Sequence, residues 1–100
     1  MTRRIVLRPA AEADINTAAA WYEEQSPLTA ARFWRAVEEK LQLLRENPFQ
    51  YQRVIGRARR ALLRDFPQAL FYIATDDEIV IVACTHGRRH PKRWQDRVVE

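Results

Sequence analysis

Arg59 to Arg89 reads RRALLRDFPQALFYIATDDEIVIVACTHGRR, and its pattern decides the fold. Ile79-Val80-Ile81-Val82-Ala83-Cys84 has no polar face at the two-residue period of a strand. A strand apolar on both faces is expected to be central and covered on both sides. Leu70-Phe71-Tyr72-Ile73 is a second β-rich run, and the polar link Thr75-Asp76-Asp77 predicts a hairpin between the two. Ala61-Leu62-Leu63 is a third run. It closes at Phe66-Pro67, where a residue without an N–H belongs in a turn or at a strand start. This meander carries His86, Gly87, Arg88, Arg89 and His90 to one end of the central strand.

Working outward, Arg4-Ile5-Val6-Leu7-Arg8 is a short strand, and Pro9 suits the first turn of a helix, where its missing N–H costs nothing. From Ala10 to Gln25 the apolar residues Ile15, Ala18, Ala19 and Tyr22 form one helical stripe, with no good side-chain cap ahead of it. Ser26-Pro27 caps and starts a second helix, whose stripe is Ala30, Phe33, Val37, Leu41 and Leu44. Asn47-Pro48 ends it. So short a connection predicts an antiparallel helical hairpin with both stripes on a common surface, which the sheet supplies. Trp21 falls just off its stripe, to pack on the second helix or to meet a partner. Phe49 to Gly56 reads as a connector, with a turn at Gly56. The expected architecture is α+β: β-α-α-β-β-β, a helical hairpin packed on one face of a mostly antiparallel sheet, in a single domain spanning residues 1–100.

Charge narrows the function classes. Net charge is +4, and residues 1–47 are balanced, so the whole excess lies in residues 48–100. Positive charge concentrated in this way fits an acidic partner, nucleic acid or an acidic protein segment, as well as plain solubility. No apolar run approaches the length of a membrane span, and the N-terminus lacks the apolar stretch of a signal peptide, so a cytoplasmic protein without membrane contact is expected. The one cysteine, Cys84, reads as a small core residue. His86 and His90 have helix-face spacing, but Gly87 and Pro91 oppose a helix there, so no metal site is expected, and no cofactor.

The residues then meet a family. The opening strand before Pro9, Ala20-Trp21-Tyr22, Ser26-Pro27, Arg32-Phe33, Glu46-Asn47-Pro48, Arg60 through Phe66-Pro67, Leu70-Phe71-Tyr72 and His86-Gly87-Arg88-Arg89 with Trp94 stand in one order along almost the whole chain. In this the chain resembles the RelE/ParE superfamily, the toxins of type II toxin–antitoxin (plasmid-stabilisation-type) systems. The resemblance implies a growth inhibitor neutralised by a cognate antitoxin protein. RelE-like members cut mRNA on the ribosome; ParE-like members do no known hydrolysis and poison DNA gyrase. A shared fold does not choose between them.

Metal-free RNA cleavage needs a base, an acid and cations on the phosphate. His86 and His90 with Arg60, Arg64, Arg88 and Arg89 contain those residue types. On strand alternation Arg60 and Arg64 share a face with Leu62, and Arg59 points the other way. Arginines beside a strand equally serve as a solvated edge. RelE-like nucleases often carry an arginine just before the Leu-Phe-Tyr-like run, where this chain has Ala69, and often end in a tyrosine or histidine near the scissile phosphate, where it has Trp94. The resemblance therefore favours the ParE-like branch and a non-enzymatic inhibitor of DNA gyrase. Arg88, Arg89, His90, Lys92, Arg93, Trp94 and Arg97 would then contact the target. The alternatives are a ribosome-dependent mRNA endoribonuclease built on His86, Arg60, Arg64, Arg88 and Arg89, and a non-toxic basic binding domain.

Overall fold

The computed structural model describes residues 3–88 and 94–98. The chain runs β1 (Arg4–Leu7), α1 (Pro9–Gln25), α2 (Pro27–Glu46), a 3-10 turn at Pro48–Gln50, β2 (Arg53–Ile55), β3 (Ala58–Leu62), β4 (Gln68–Ala74), β5 (Glu78–His86) and a last 3-10 turn at Gln95–Arg97. Five strands form one sheet in the order β1-β5-β4-β3-β2. β1 lies parallel to β5, and every other pairing is antiparallel. Two expectations are corrected. The connector after α2 contains a further strand, β2, too short and too polar to show a period, which pairs with β3 through a turn at Gly56 (φ +52°). The middle of the sheet is β4; the apolar run in β5 is interior but stands second from the edge.

The helices follow their stripes. Ala11, Ile15, Ala19 and Tyr22 are buried on α1, and Ala30, Phe33, Ala36, Val37 and Leu44 on α2. Ser26 alone separates the helices, and its Oγ accepts the Leu28 N–H at 3.2 Å, the side-chain cap that α1 lacks. Both stripes meet Leu70, Tyr72, Ile79, Ile81 and Cys84 on one face of the sheet. Tyr22, Phe33 and Phe66 form a triangle of rings 5.1–5.4 Å apart. Burying a side chain such as Phe33 is worth about 1.5–3 kcal/mol.

The other face has its own core: Ala58, Ala69, Phe71, Ile73, Val82 and Ala83, closed by Trp94. Trp94 is 1% exposed, and its ring lies 4.4 Å from that of Phe71. Trp94 thus packs on the sheet, and no indole surface is left for the direct target contact expected of it. Its Nε1–H finds no acceptor among the described residues.

The β4–β5 pairing holds an irregularity. Phe71 pairs with Ala83, but Tyr72 pairs with Ile81, so Val82 is an extra residue on β5. Val82 and Ala83 consequently both face the second core. Alternation then resumes one residue out of phase, returning Cys84 to the helix side.

β5 also outruns β1, whose register ends at Leu7–Ile81. Beyond that point the β5 edge has no strand partner, and side chains take over. The Asp14 carboxylate accepts the Cys84 N–H at 3.0 Å, and Arg97 Nη1 donates to the Val82 carbonyl at 3.1 Å. Arg97 also binds Asp14 at 2.7 Å, and Arg8 Nη1 donates to the Arg97 carbonyl at 2.7 Å. Three segments distant in sequence are thus tied to one strand edge.

Two outcomes are expected in urea unfolding at neutral pH. Trp94→Ala should lose about 3–5 kcal/mol, as large-to-small aromatic changes in cores do, whereas Trp94→Phe, which removes the unpaired N–H and keeps a ring on Phe71, should lose less than half of that. Asp14→Ala and Arg97→Ala should each cost about 1–3 kcal/mol, and the double variant clearly less than their sum, because both serve the same edge.

Candidate functional site

The sequence points to the strand end at His86, and the bulge decides which way that end faces. An unbroken alternation from Ile79 would place His86 on the face of Trp94. The extra residue at Val82 turns it to the side of α1 instead, opposite Gln68. Gln68 is fixed there by the Tyr22 hydroxyl, which donates to its Oε1 at 3.1 Å. A hollow of about 510 Å³ lies between α1 and this strand end, bordered by Asp14, Thr17, Trp21, Gln68, Cys84 and His86. Trp21, 57% exposed, stands at its rim, where the sequence placed it only as off the stripe. A smaller hollow of about 340 Å³ adjoins on the far side of His86, bordered by Leu62, Leu63, Phe66, Pro67 and Arg88.

The turn after β5 is closely held. Gly87 N–H donates to the Pro67 carbonyl at 2.8 Å, and Arg60 Nη1 donates to the Gly87 carbonyl at 3.1 Å. A Cβ on Gly87 would collide with Cδ2 of Leu62. The Arg88 N–H donates to His86 Nδ1 at 3.1 Å. An accepting Nδ1 puts the proton of the neutral ring on Nε2 and leaves that atom free for a partner.

The structure places Arg88 beside His86 and puts Arg60 on the opposite face of the sheet, tied to the Gly87 carbonyl. Arg64 is corrected. It lies past the end of β3, in the turn before Pro67, and lines a different hollow beside α2 with Arg32 and Arg35. Arg60 has the opposite orientation, on the face of Ala58 and Leu62. Arg59 points to the helix side, as alternation predicts, and donates to the carbonyls of Phe49 (3.2 Å) and Tyr51 (2.6 Å). Arg97 is corrected in a different sense: it is present near the site, but its guanidinium is spent on Asp14 and the β5 backbone. Arg89, His90, Lys92 and Arg93 lie outside the described residues.

What this arrangement can do is limited. His86 provides one ring at the rim, with Arg88 beside it for anions. Among the described residues its ring is hydrogen-bonded only to the Arg88 N–H, and the carboxylate bordering the same hollow, Asp14, is already bound by Arg97 and the Cys84 N–H. Cys84, which lines the same hollow, is not a nucleophile. Burial first, then the charge of Asp14, pushes its thiol up to about 12. Tyr72 is likewise raised, mainly by burial against the lowering effect of Arg59, and its hydroxyl is bound to the Pro48 carbonyl at 2.6 Å. Among the described residues no three His, Cys, Asp or Glu side chains are grouped to hold a metal ion, and no helix is long and apolar enough to cross a membrane. Asp14, missed in sequence, is the residue that shapes this wall. Its only signal was an acidic group early in α1, which reads equally well as a helix-dipole partner.

Comparison with known proteins adds the following. The family model described as "ParE toxin of type II toxin-antitoxin system, parDE" matches residues 5–91. No curated protein matches significantly. Among solved structures, one of the chromosomal ParDE TA system from P. aeruginosa is similar in fold, with a TM-score of 0.74 and 18% sequence identity over 85% of this chain and 96% of that one.

The raised thiol gives a signed pH dependence. Well below pH 9 the Cys84 thiol is protonated whether the chain is folded or not, so it contributes nothing to the slope. Between about 9 and about 12 the unfolded chain loses that proton and the folded chain keeps it, so stability should fall as pH rises. Urea midpoints measured from pH 8 to 10.5 should decline, and the decline should be shallower in Cys84→Ala. At pH 8, iodoacetamide should label Cys84 only after denaturant is added.

Proposed function

This chain belongs to the ParE toxin family of type II toxin–antitoxin systems, and from that membership we propose that it inhibits growth by binding DNA gyrase, without hydrolysing a substrate, and is neutralised by a cognate antitoxin. The observation that carries the reading is the family match, which runs from β1 to the basic segment after β5. The site geometry supports it. An exposed histidine with Arg88 beside it suits docking on an acidic surface; acid–base cleavage would need a second proton-transfer group, and Asp14 in the same hollow is bound by Arg97 and the Cys84 N–H. In this reading Arg88, Arg89, His90, Lys92 and Arg93 form the docking segment. Trp94 and Arg97 act from inside the fold, anchoring the end of that segment to β5. Such a target places the protein in the cytoplasm.

The antitoxin would cover apolar surface. Trp21, Leu28, Trp34 and Leu43 are exposed on the helical hairpin, and β2 leaves a short strand edge open at one side of the sheet. A helix laid over the hairpin or a strand added to β2 would bury these features.

The test is pulse labelling after tightly controlled induction of this chain alone. DNA synthesis should fall before protein synthesis, with filamentous cells. A prior fall in translation would replace the reading with a ribosome-dependent nuclease, and unaffected growth would replace it with a non-toxic binding domain. His86→Gln should arrest growth as the wild type does, because no proton transfer is required of it; a nuclease relying on that ring would lose about 10²–10⁴-fold.

A further inference from the structure

The hollow that Arg64 lines has no place in the toxin reading. It measures about 540 Å³ and lies between α2 and the turn joining β3 to β4. Arg32 and Arg35, one turn apart on α2, line it together with Arg64, and all three side chains are exposed. Among the described residues no hydrogen bond or ion pair engages any of these three guanidinium groups, although Glu39 and Asp65 border the same hollow. The turn is held in a costly shape: Asp65 has a φ of +67°, in the left-handed region. That conformation sets Arg64 and Phe66 side by side toward α2. The Phe66 ring is edge-packed on Tyr22 and Phe33, and it remains partly exposed at the hollow.

The chemistry of the lining selects a ligand. One carboxylate satisfies one arginine fork, whereas a phosphate monoester carries up to about two charges and three acceptor oxygens and can serve several. A phosphate alone would leave most of this volume empty, since small-molecule sites run to roughly 300–1,000 Å³. The remaining features are an aromatic ring for a flat group and two carboxylates, which accept hydrogen bonds and repel further anions. A ligand composed only of anionic units, such as an acidic peptide or a nucleic-acid strand, meets Glu39 and Asp65 as repulsion. A ligand with one phosphorylated end, hydroxyls and a planar ring meets them as partners.

We propose that this hollow binds a free nucleotide, its phosphate among Arg32, Arg35 and Arg64, its base against Phe66 and its sugar hydroxyls toward Glu39 and Asp65. The proposal does not depend on gyrase being the target of the chain.

Isothermal titration of the full chain with AMP, GMP, inorganic phosphate, a glutamate-rich peptide and a single-stranded oligonucleotide tests it. AMP or GMP should saturate one site per chain and bind about tenfold or more tighter than inorganic phosphate, the increment expected of base stacking. Arg35→Ala and Arg64→Ala should each weaken the nucleotide about tenfold or more, the loss of a charge-assisted contact, with Arg64→Lys in between. Phe66→Leu should weaken the nucleotide and not phosphate. Arg45→Ala, on the same helix outside the hollow, should change nothing. The proposal is overturned by equal binding of nucleotide and phosphate, by tighter binding of peptide or oligonucleotide, by an unchanged affinity in Arg64→Ala with native circular dichroism, or by no saturable binding up to about 1 mM.

Discussion

A strand that is longer than its neighbour leaves backbone groups without partners, and this structure depends on how that shortage is met. β5 runs nine residues and β1 only four, so the upper half of β5 is an edge in the middle of a core. Unpaired buried N–H and C=O groups are costly, and an exposed edge invites pairing with other chains. Asp14 and Arg97 fill the gap from opposite ends of the sequence. In doing so they fix α1 against the sheet and bring the last turn of the chain over its second face. The ion pair between them is partly buried, with 20% of the Asp14 side chain and 30% of the Arg97 side chain exposed. Its charged groups are therefore screened less than a surface pair and are also better paired than most buried ones.

The two faces of the sheet follow from the same constraint. A helical hairpin covers one face only, and the strands β4 and β5 are apolar on both. Trp94 is the largest side chain on the second face, and it lies there because the Arg97 contacts return the chain to β5. The described chain is held on either side of residues 89–93, by the turn at Gly87, whose N–H and carbonyl are both engaged, and by the buried indole of Trp94.

The local sequence made the elements readable. Helical stripes, the Ser26 cap, the proline boundaries and the Thr75–Asp77 link were all visible, because each depends on residues within a few positions of one another. β2 was not visible, since a three-residue strand has too few positions to show a period, and its partner β3 supplies the pairing. The candidate site was legible in part. His86 and Arg88 were found because they stand at the end of a recognisable strand, and Arg60 because it lies within the run that forms β3. Arg64 was misplaced because alternation was extended past the end of β3 into a turn. Trp94 and Arg97 were expected to contact the target, and only their contacts with Phe71, Asp14 and Val82 show them engaged by the fold itself.

What the sequence by itself determined, then, is the class of fold, the order of its elements and the apolar faces they must bury, since periodicity records burial directly. What only the tertiary structure decided is the direction in which the site faces. The extra residue at Val82 turns His86 toward α1 and away from Trp94, and nothing in Ile79 to Cys84 marks it. In a run that is apolar on both sides a shift of one residue changes no hydrophobic pattern. The bulge is fixed instead by the register of β4 and by the side chains of Asp14 and Arg97 that close the edge beyond it.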